Sequence, residues 1–210
     1  MKFPIGIQTF EKIITEGLAY VDKTAFVYQL VTSGSSYCFL SRPRRFGKSL
    51  LITTLESYFS GKKDLFKGLA IEKLEKDWIE YPVLHLDLNT GAYNTEDGLK
   101  NQLNDTFCEW EQIYGSKPSE NELQLRFKGI IQRAYEKTGK RVVILVDEYD
   151  KPLISTFDNK ELQDSFRTQL KAFYSVLKTM DGCIKFALLT GVTKFSKVSI
   201  FSDLNNLKDI

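Results

Sequence analysis

Arg141-Val142-Val143-Ile144-Leu145-Val146-Asp147-Glu148 is the segment that most restricts the fold. Five consecutive apolar, β-branched-rich residues leave no polar face, so a strand built from them must be covered on both sides. That is the pattern of an inner strand in a parallel sheet. Tyr37-Cys38-Phe39-Leu40-Ser41 and Ile184-Lys185-Phe186-Ala187-Leu188-Leu189-Thr190-Gly191 have the same character, and Val83-Leu84-His85-Leu86-Asp87-Leu88 reads as a fourth strand. Helical patterns lie between them, at about 95–113, 119–138 and 160–179. The alternation predicts an α/β fold in three layers, a mainly parallel sheet with helices on both faces.

The first strand feeds Arg42-Pro43-Arg44-Arg45-Phe46-Gly47-Lys48-Ser49-Leu50, a basic loop that ends in Gly-Lys-Ser at the start of a helix expected over Gly47–Phe59. This is the tail of a phosphate-binding loop, the Walker A motif. Gly47 lets backbone N–H groups approach a phosphate, Lys48 reaches the β- and γ-phosphates, and the Ser49 hydroxyl suits Mg²⁺. The helix N-terminus adds its dipole to the same anion site. Arg44 to Leu50 is therefore the candidate nucleotide-contact segment. The motif departs from G-x-x-x-x-G-K-[ST] at Arg42, which stands where glycine is usual, and Pro43 contributes no N–H.

Ligands of open α/β sheets bind outside the carboxyl ends of the strands. Asp147 there would hold Mg²⁺ together with Ser49, as a Walker B carboxylate, and Glu148 would polarise the attacking water. Thr190, ending a third strand at the same edge, would touch the γ-phosphate or the water. The rival reading is a Rossmann-like domain with a solvated Asp-Glu pair at a strand end.

With 210 residues the chain suits one domain, 1–210, in which 1–35 forms an N-terminal extension before the first sheet strand. A net charge of +2 gives no global case for nucleic acid or an anionic membrane; basic density is local, at Arg42, Arg44, Arg45 and Lys48. No apolar run approaches the roughly 20 residues of a membrane-spanning helix, and the first residues lack the apolar core of a signal peptide. Cys38, Cys108 and Cys183 are widely spaced and unpaired by motif, which fits a cytoplasmic location with the thiols as small core residues.

Within the extension, Phe10, Ile13 and Ile14 have helical spacing, Tyr20-Val21-Asp22-Lys23-Thr24 is extended, and Thr24 is expected to cap a helix to about Thr32. Ser119-Glu120-Asn121-Glu122 has the form of a capping box. Lys151-Pro152 reads as an exit turn. His85, the single histidine, reads as a hydrogen-bonded core or edge residue, since no Cys or His stands at ligand spacing. Asp87 near a strand end is a secondary candidate for a site carboxylate, and Lys194 is either a γ-phosphate sensor or plain surface. Lys208-Asp209-Ile210 ends without a final helix or strand, so the chain is expected to be a piece of a longer protein, lacking a downstream lid and any C-terminal domain.

Ser41-Arg42-Pro43-Arg44-Arg45-Phe46-Gly47-Lys48-Ser49-Leu50 resembles the degenerate phosphate loop of the bacterial AAA-ATPase-like family. Pro4-Ile5-Gly6-Ile7-Gln8 with Phe10, Tyr20 to Thr24, Val146 to Leu153 and Thr190 to Ser196 are similar to other stretches of it, so the resemblance spans nearly the whole chain. It implies an additional-strand P-loop NTPase core, ATP and Mg²⁺ as cofactors, and nucleotide roles for Gly47, Lys48, Ser49, Asp147 and Glu148. The absent first glycine is a departure the family shares. Members often carry a C-terminal nuclease-like domain of the PD-(D/E)XK type, through which a nucleic-acid or protein partner would be engaged; oligomerisation is compatible with such a core. No nuclease constellation is readable here, because Asp158-Asn159-Lys160 matches only the tail of that pattern. Three functions follow as expectations: an ATPase, a nucleotide-gated binding module with little turnover, and a nucleic-acid-binding module using Arg42, Arg44 and Arg45.

Overall fold

The computed structural model describes residues 2–193 and 207–210. In chain order the elements are α1 (Phe10–Thr15), α2 (Thr24–Thr32), β1 (Tyr37–Ser41), α3 (Lys48–Phe59), α4 (Ala70–Leu74), β2 (Val83–Asp87), α5 (Gly98–Tyr114), α6 (Leu123–Thr138), β3 (Val142–Asp147), α7 (Lys151–Ser155), α8 (Lys160–Thr179), β4 (Ile184–Gly191) and β5 (Lys208–Asp209). The five strands form one sheet in the order β2-β3-β4-β1-β5, with every neighbouring pair parallel. β4 is inserted between β1 and β3, which is the additional-strand topology.

Two apolar layers cover the sheet, as the uninterrupted apolar strands require. Val142, Ile144 and Val146 of β3 join Leu103, Phe107, Phe127 and Phe173 from α5, α6 and α8 on one face. Val143 and Leu145 point the other way, with Ile52, Leu55 and Phe59 of α3 and Phe10 of α1. Each fully buried side chain of this size contributes about 1.5–3 kcal/mol. That burial explains why α1 holds with only six residues, a length at which helix propensity alone fails. The alternation is interrupted once: Val142 pairs with Ile184 but Val143 with Phe186, so Lys185 is an extra residue. Its ammonium lies 5.9 Å from the Tyr81 ring centre, outside the core.

Several local expectations are corrected. Thr24 opens α2 but does not cap it: its hydroxyl donates to Asp22 and accepts from the Ile71 amide, tying α2 to α4. Asp22 also accepts from the Thr24 and Ala70 amides, and its carboxyl, despite some opposing burial, is held below the usual carboxylate range by these bonds. No capping box forms at 119–122, because α6 begins only at Leu123, which leaves Glu122 at the N-cap position and Ser119 outside the helix. Lys151-Pro152 opens α7 rather than a turn, since the missing proline N–H costs nothing in a first helical turn. Asp158-Asn159-Lys160 is the start of α8, where the Asn159 side chain accepts from the Leu162 amide. The chain end forms β5 against β1, contrary to the expectation of no final strand. Cys38 is a core residue whose thiol is pushed up to about 11 by burial, whereas Cys108 is exposed on α5 and not in the core.

His85 is the hydrogen-bonded edge residue expected of it. Its Nδ1 lies 3.1 Å from Glu56 Oε2, joining the edge strand β2 to α3. Burial opposes protonation, yet the Glu56 hydrogen bond and charge, with the Asp147 and Asp87 charges, lift His85 above its ordinary pKa. The same bond lowers Glu56. The raised histidine stabilises the fold fully below its unfolded pKa and loses this as pH rises through its folded value. The lowered glutamate contributes above its unfolded pKa and loses this as pH falls. The pair is therefore strongest between about pH 4.5 and 6.5. Glu56→Gln should lower the melting temperature by about 1–3 °C at pH 5.5 and by less at pH 8.5, read by thermal denaturation; an equal loss at both values would contradict a charged pair.

Candidate nucleotide site

The loop from Arg42 to Gly47 leaves β1 at the carboxyl edge of the sheet and enters α3. Gly47 precedes the helix with φ 78°, and no atom lies within 4 Å of where its Cβ would be. The glycine is thus required by backbone conformation, not by crowding. Left-handed Gly47 followed by helical Lys48 is the opposite-hand pairing of a backbone anion nest. The N-cap residue Gly47 has no side chain to cap α3, and among the described residues no side chain accepts from the Ser49 or Leu50 amide in its first turn. Arg45 is also left-handed, at φ 68°. Arg42, Arg44, Arg45 and Phe46 are exposed, Ser49 is half-buried, and Leu50 leans on the apolar layer beneath.

Lys48 is the buried member of this loop, only 4% exposed. Its ammonium donates to the Arg42 carbonyl at 3.1 Å and the Pro43 carbonyl at 3.4 Å, and lies 3.1 Å from Glu148 Oε1. One cation thereby links the phosphate loop to the end of β3.

At that end, Asp147 is 5% exposed. Its Oδ1 accepts from the Thr190 hydroxyl and from the Glu148 amide, and its Oδ2 has no donor among the described residues. Thr190 is fully buried and directs its hydroxyl at Asp147. The same hydroxyl oxygen accepts from the Glu148 amide at 3.4 Å. Glu148 sits at φ 54°, a left-handed conformation that costs a residue with a side chain about 1 kcal/mol or more. Asp87 is the register partner of Asp147, but its Oδ1 is used by the Asn89 amide.

The expected residues fall into two groups. Lys48, Asp147, Glu148 and Thr190 are joined by direct contacts, whereas Arg44, Arg45 and Phe46 lie outward on the loop. Lys194 lies outside the described residues. Asp150 and Gly191 escaped the sequence reading.

The profile of the family described as "Predicted AAA-ATPase" matches residues 4–201. The chain belongs to the AAA-ATPase-like family. A relative in Azotobacter chroococcum mcd 1, described as "Uncharacterized protein in vnfD 5'region", is 45% identical over 212 residues, covering 100% of this chain and 40% of that protein. The chain thus spans less than half the length of that relative. For this AAA-ATPase-like chain, family and fold together suggest nucleotide binding. Among the described residues no helix is long and apolar enough to cross a membrane.

Gly191 closes the site from behind. A Cβ there would overlap the buried Tyr149 ring and come within 2.7 Å of Asp150 Oδ1. Neither neighbour can retreat, because Tyr149 is in the core and Asp150 is fully buried. Gly191→Ala should destabilise the protein by about 1–3 kcal/mol in denaturant titration, and unchanged stability would mean that the strand end relaxes freely.

Proposed function

We propose that this chain binds ATP with Mg²⁺ through the phosphate loop and hydrolyses the β–γ bond. The observation that carries the reading is the buried Lys48 ammonium, shared between the loop carbonyls and Glu148. An arriving triphosphate offers that cation a stronger, charged acceptor than two carbonyls. Lys48 would turn to the phosphate and neutralise charge developing in the transition state, and Glu148 would be released to orient water. The open amides of the first turn of α3 would hold phosphate oxygens.

The donor set fits Mg²⁺. Asp147 keeps one carboxylate oxygen without a donor, and Ser49 presents a hydroxyl one residue beyond Lys48. Bound Mg²⁺ would supply charge neutralisation across the β- and γ-phosphates. Thr190 acts in this reading through Asp147 and Glu148, by fixing the orientation of one and the amide of the other.

A second reading, a nucleotide-gated module with little turnover that controls a nuclease-like domain or another partner, is favoured by one feature. The loop has Arg42 where glycine is usual and lacks an N–H at Pro43, so fewer backbone donors face the phosphates. Phosphate release by the purified protein separates the two.

ATP with Mg²⁺ should raise the melting temperature, by the equivalent of about 2.7 kcal/mol at a hundredfold excess over Kd. Lys48→Ala should abolish the rise. Glu148→Gln should keep it while lowering phosphate release at least about tenfold. Equal shifts in the parent and Lys48→Ala would remove the site, and loss of binding in Glu148→Gln would give Glu148 a structural or metal-binding role instead.

The exposed arginines supply a separate test. If Arg44 or Arg45 turns inward to replace the missing donors, its alanine variant should lose about ten- to a hundredfold in ATP affinity by calorimetry, with adenosine binding unchanged. Affinities within about twofold of the parent for both variants would assign these arginines to a partner surface.

A further inference from the structure

Asp150 is a fully buried carboxylate that none of the roles above uses. Its Oδ2 accepts from the Val192 amide at 3.0 Å, the Thr193 amide at 2.7 Å and the Thr193 hydroxyl at 2.8 Å, and its Oδ1 lies 3.3 Å from the Val192 amide. A buried charge persists only when its lone pairs are satisfied, and among the described residues every donor comes from the chain leaving β4. The same two segments are joined on either side of Asp150. The Tyr149 amide donates to the Thr190 carbonyl at 2.8 Å, and the Tyr149 hydroxyl to the Thr193 carbonyl at 2.7 Å. The Glu148 carbonyl accepts from the Lys151 amide at 2.9 Å, which closes the turn.

These bonds account for an otherwise unfavourable backbone. Among the described residues Glu148 is one of three non-glycine residues at positive φ, and such a conformation is kept only where the surroundings over-determine it. The lattice of bonds that does so includes the Asp150 carboxylate beside that of Asp147, which accepts from the Glu148 amide itself, and charge-assisted hydrogen bonds are the strong ones. We propose that Asp150 is a positioning residue, whose buried carboxylate grips Val192 and Thr193 and thereby holds the Glu148 side chain toward Lys48. The proposal rests on the hydrolytic reading of the site for its kinetic consequence, but its structural half does not.

The test uses the full chain and two variants, Asp150→Asn, which keeps shape and removes charge, and Thr193→Val, which removes one of the donors. In Asp150→Asn, ATP affinity and KM should stay within about twofold while kcat falls about tenfold; Thr193→Val should follow in the same direction by about threefold. A folded Asp150→Asn protein with kcat within twofold of the parent overturns the proposal and makes the clamp a stability element. If Asp150→Asn does not fold, Thr193→Val alone decides, and an unchanged kcat overturns the proposal. If the parent binds ATP but releases no phosphate, hydrolysis fails and amide hydrogen exchange becomes the readout. Loss of protection at Glu148 and Tyr149 together with Val192 and Thr193 supports the coupling. Loss at Val192 and Thr193 alone overturns it.

Discussion

The position of β4 is the constraint on which the site depends. Because β4 lies between β1 and β3, the strand that carries the phosphate loop and the strand that carries the acids are not neighbours. Two strand spacings separate them, about 10 Å. Lys48 spans that interval from the loop side and meets Glu148 at 3.1 Å. β4 fills it from below, with Leu40 paired to Thr190 on one side and Thr190 bonded to Asp147 on the other. Had β1 and β3 been adjacent, the loop and the acids would crowd each other. As built, the strand between them ends in Thr190 and Gly191.

The helix that begins at Lys48 is held from two sides. On one, the N-terminal extension is bonded to its second turn: the Phe10 amide donates to the Thr53 hydroxyl at 3.0 Å, and that hydroxyl donates to the Gln8 carbonyl at 2.9 Å. On the other, Glu56 meets His85 of the edge strand. Phe10 and Phe66 lie beneath, with ring centres 4.9 Å apart. Extension and edge strand together set where the helix stands over the sheet, and hence where its open N-terminal amides face. The extension is therefore part of the site's scaffold although none of its residues is assigned chemistry.

The strands and their faces were readable because two-sided burial leaves a plain mark: unbroken apolar runs at 142–146 and 186–189, each ending in polar chemistry. The long amphipathic helices were readable for a similar reason. What escaped was decided by partners distant in sequence. Glu120 pairs with Arg133, Thr24 goes to Asp22 and Ile71, and β5 pairs with β1. At the site, Gly47, Lys48, Asp147 and Glu148 could be found from spacing, but the left-handed turn at Glu148 and the burial of Asp150 could not. Both depend on partners some 40 positions away, and no local pattern encodes them.

Arg45 occupies a left-handed backbone position in which glycine would be more comfortable by about 1 kcal/mol. Its side chain is exposed on the loop and makes no hydrogen bond or ion pair among the described residues that would repay this. Conformational ease would therefore drive a neutral position 45 toward glycine, and the resulting loop would come nearer the glycine-rich form typical of phosphate cradles. Retaining arginine at that position is a choice of charge over chain flexibility. A glycine at 45 would yield a loop that is easier to fold and less electropositive, so that backbone comfort and attraction for anions can be varied against each other at a single residue.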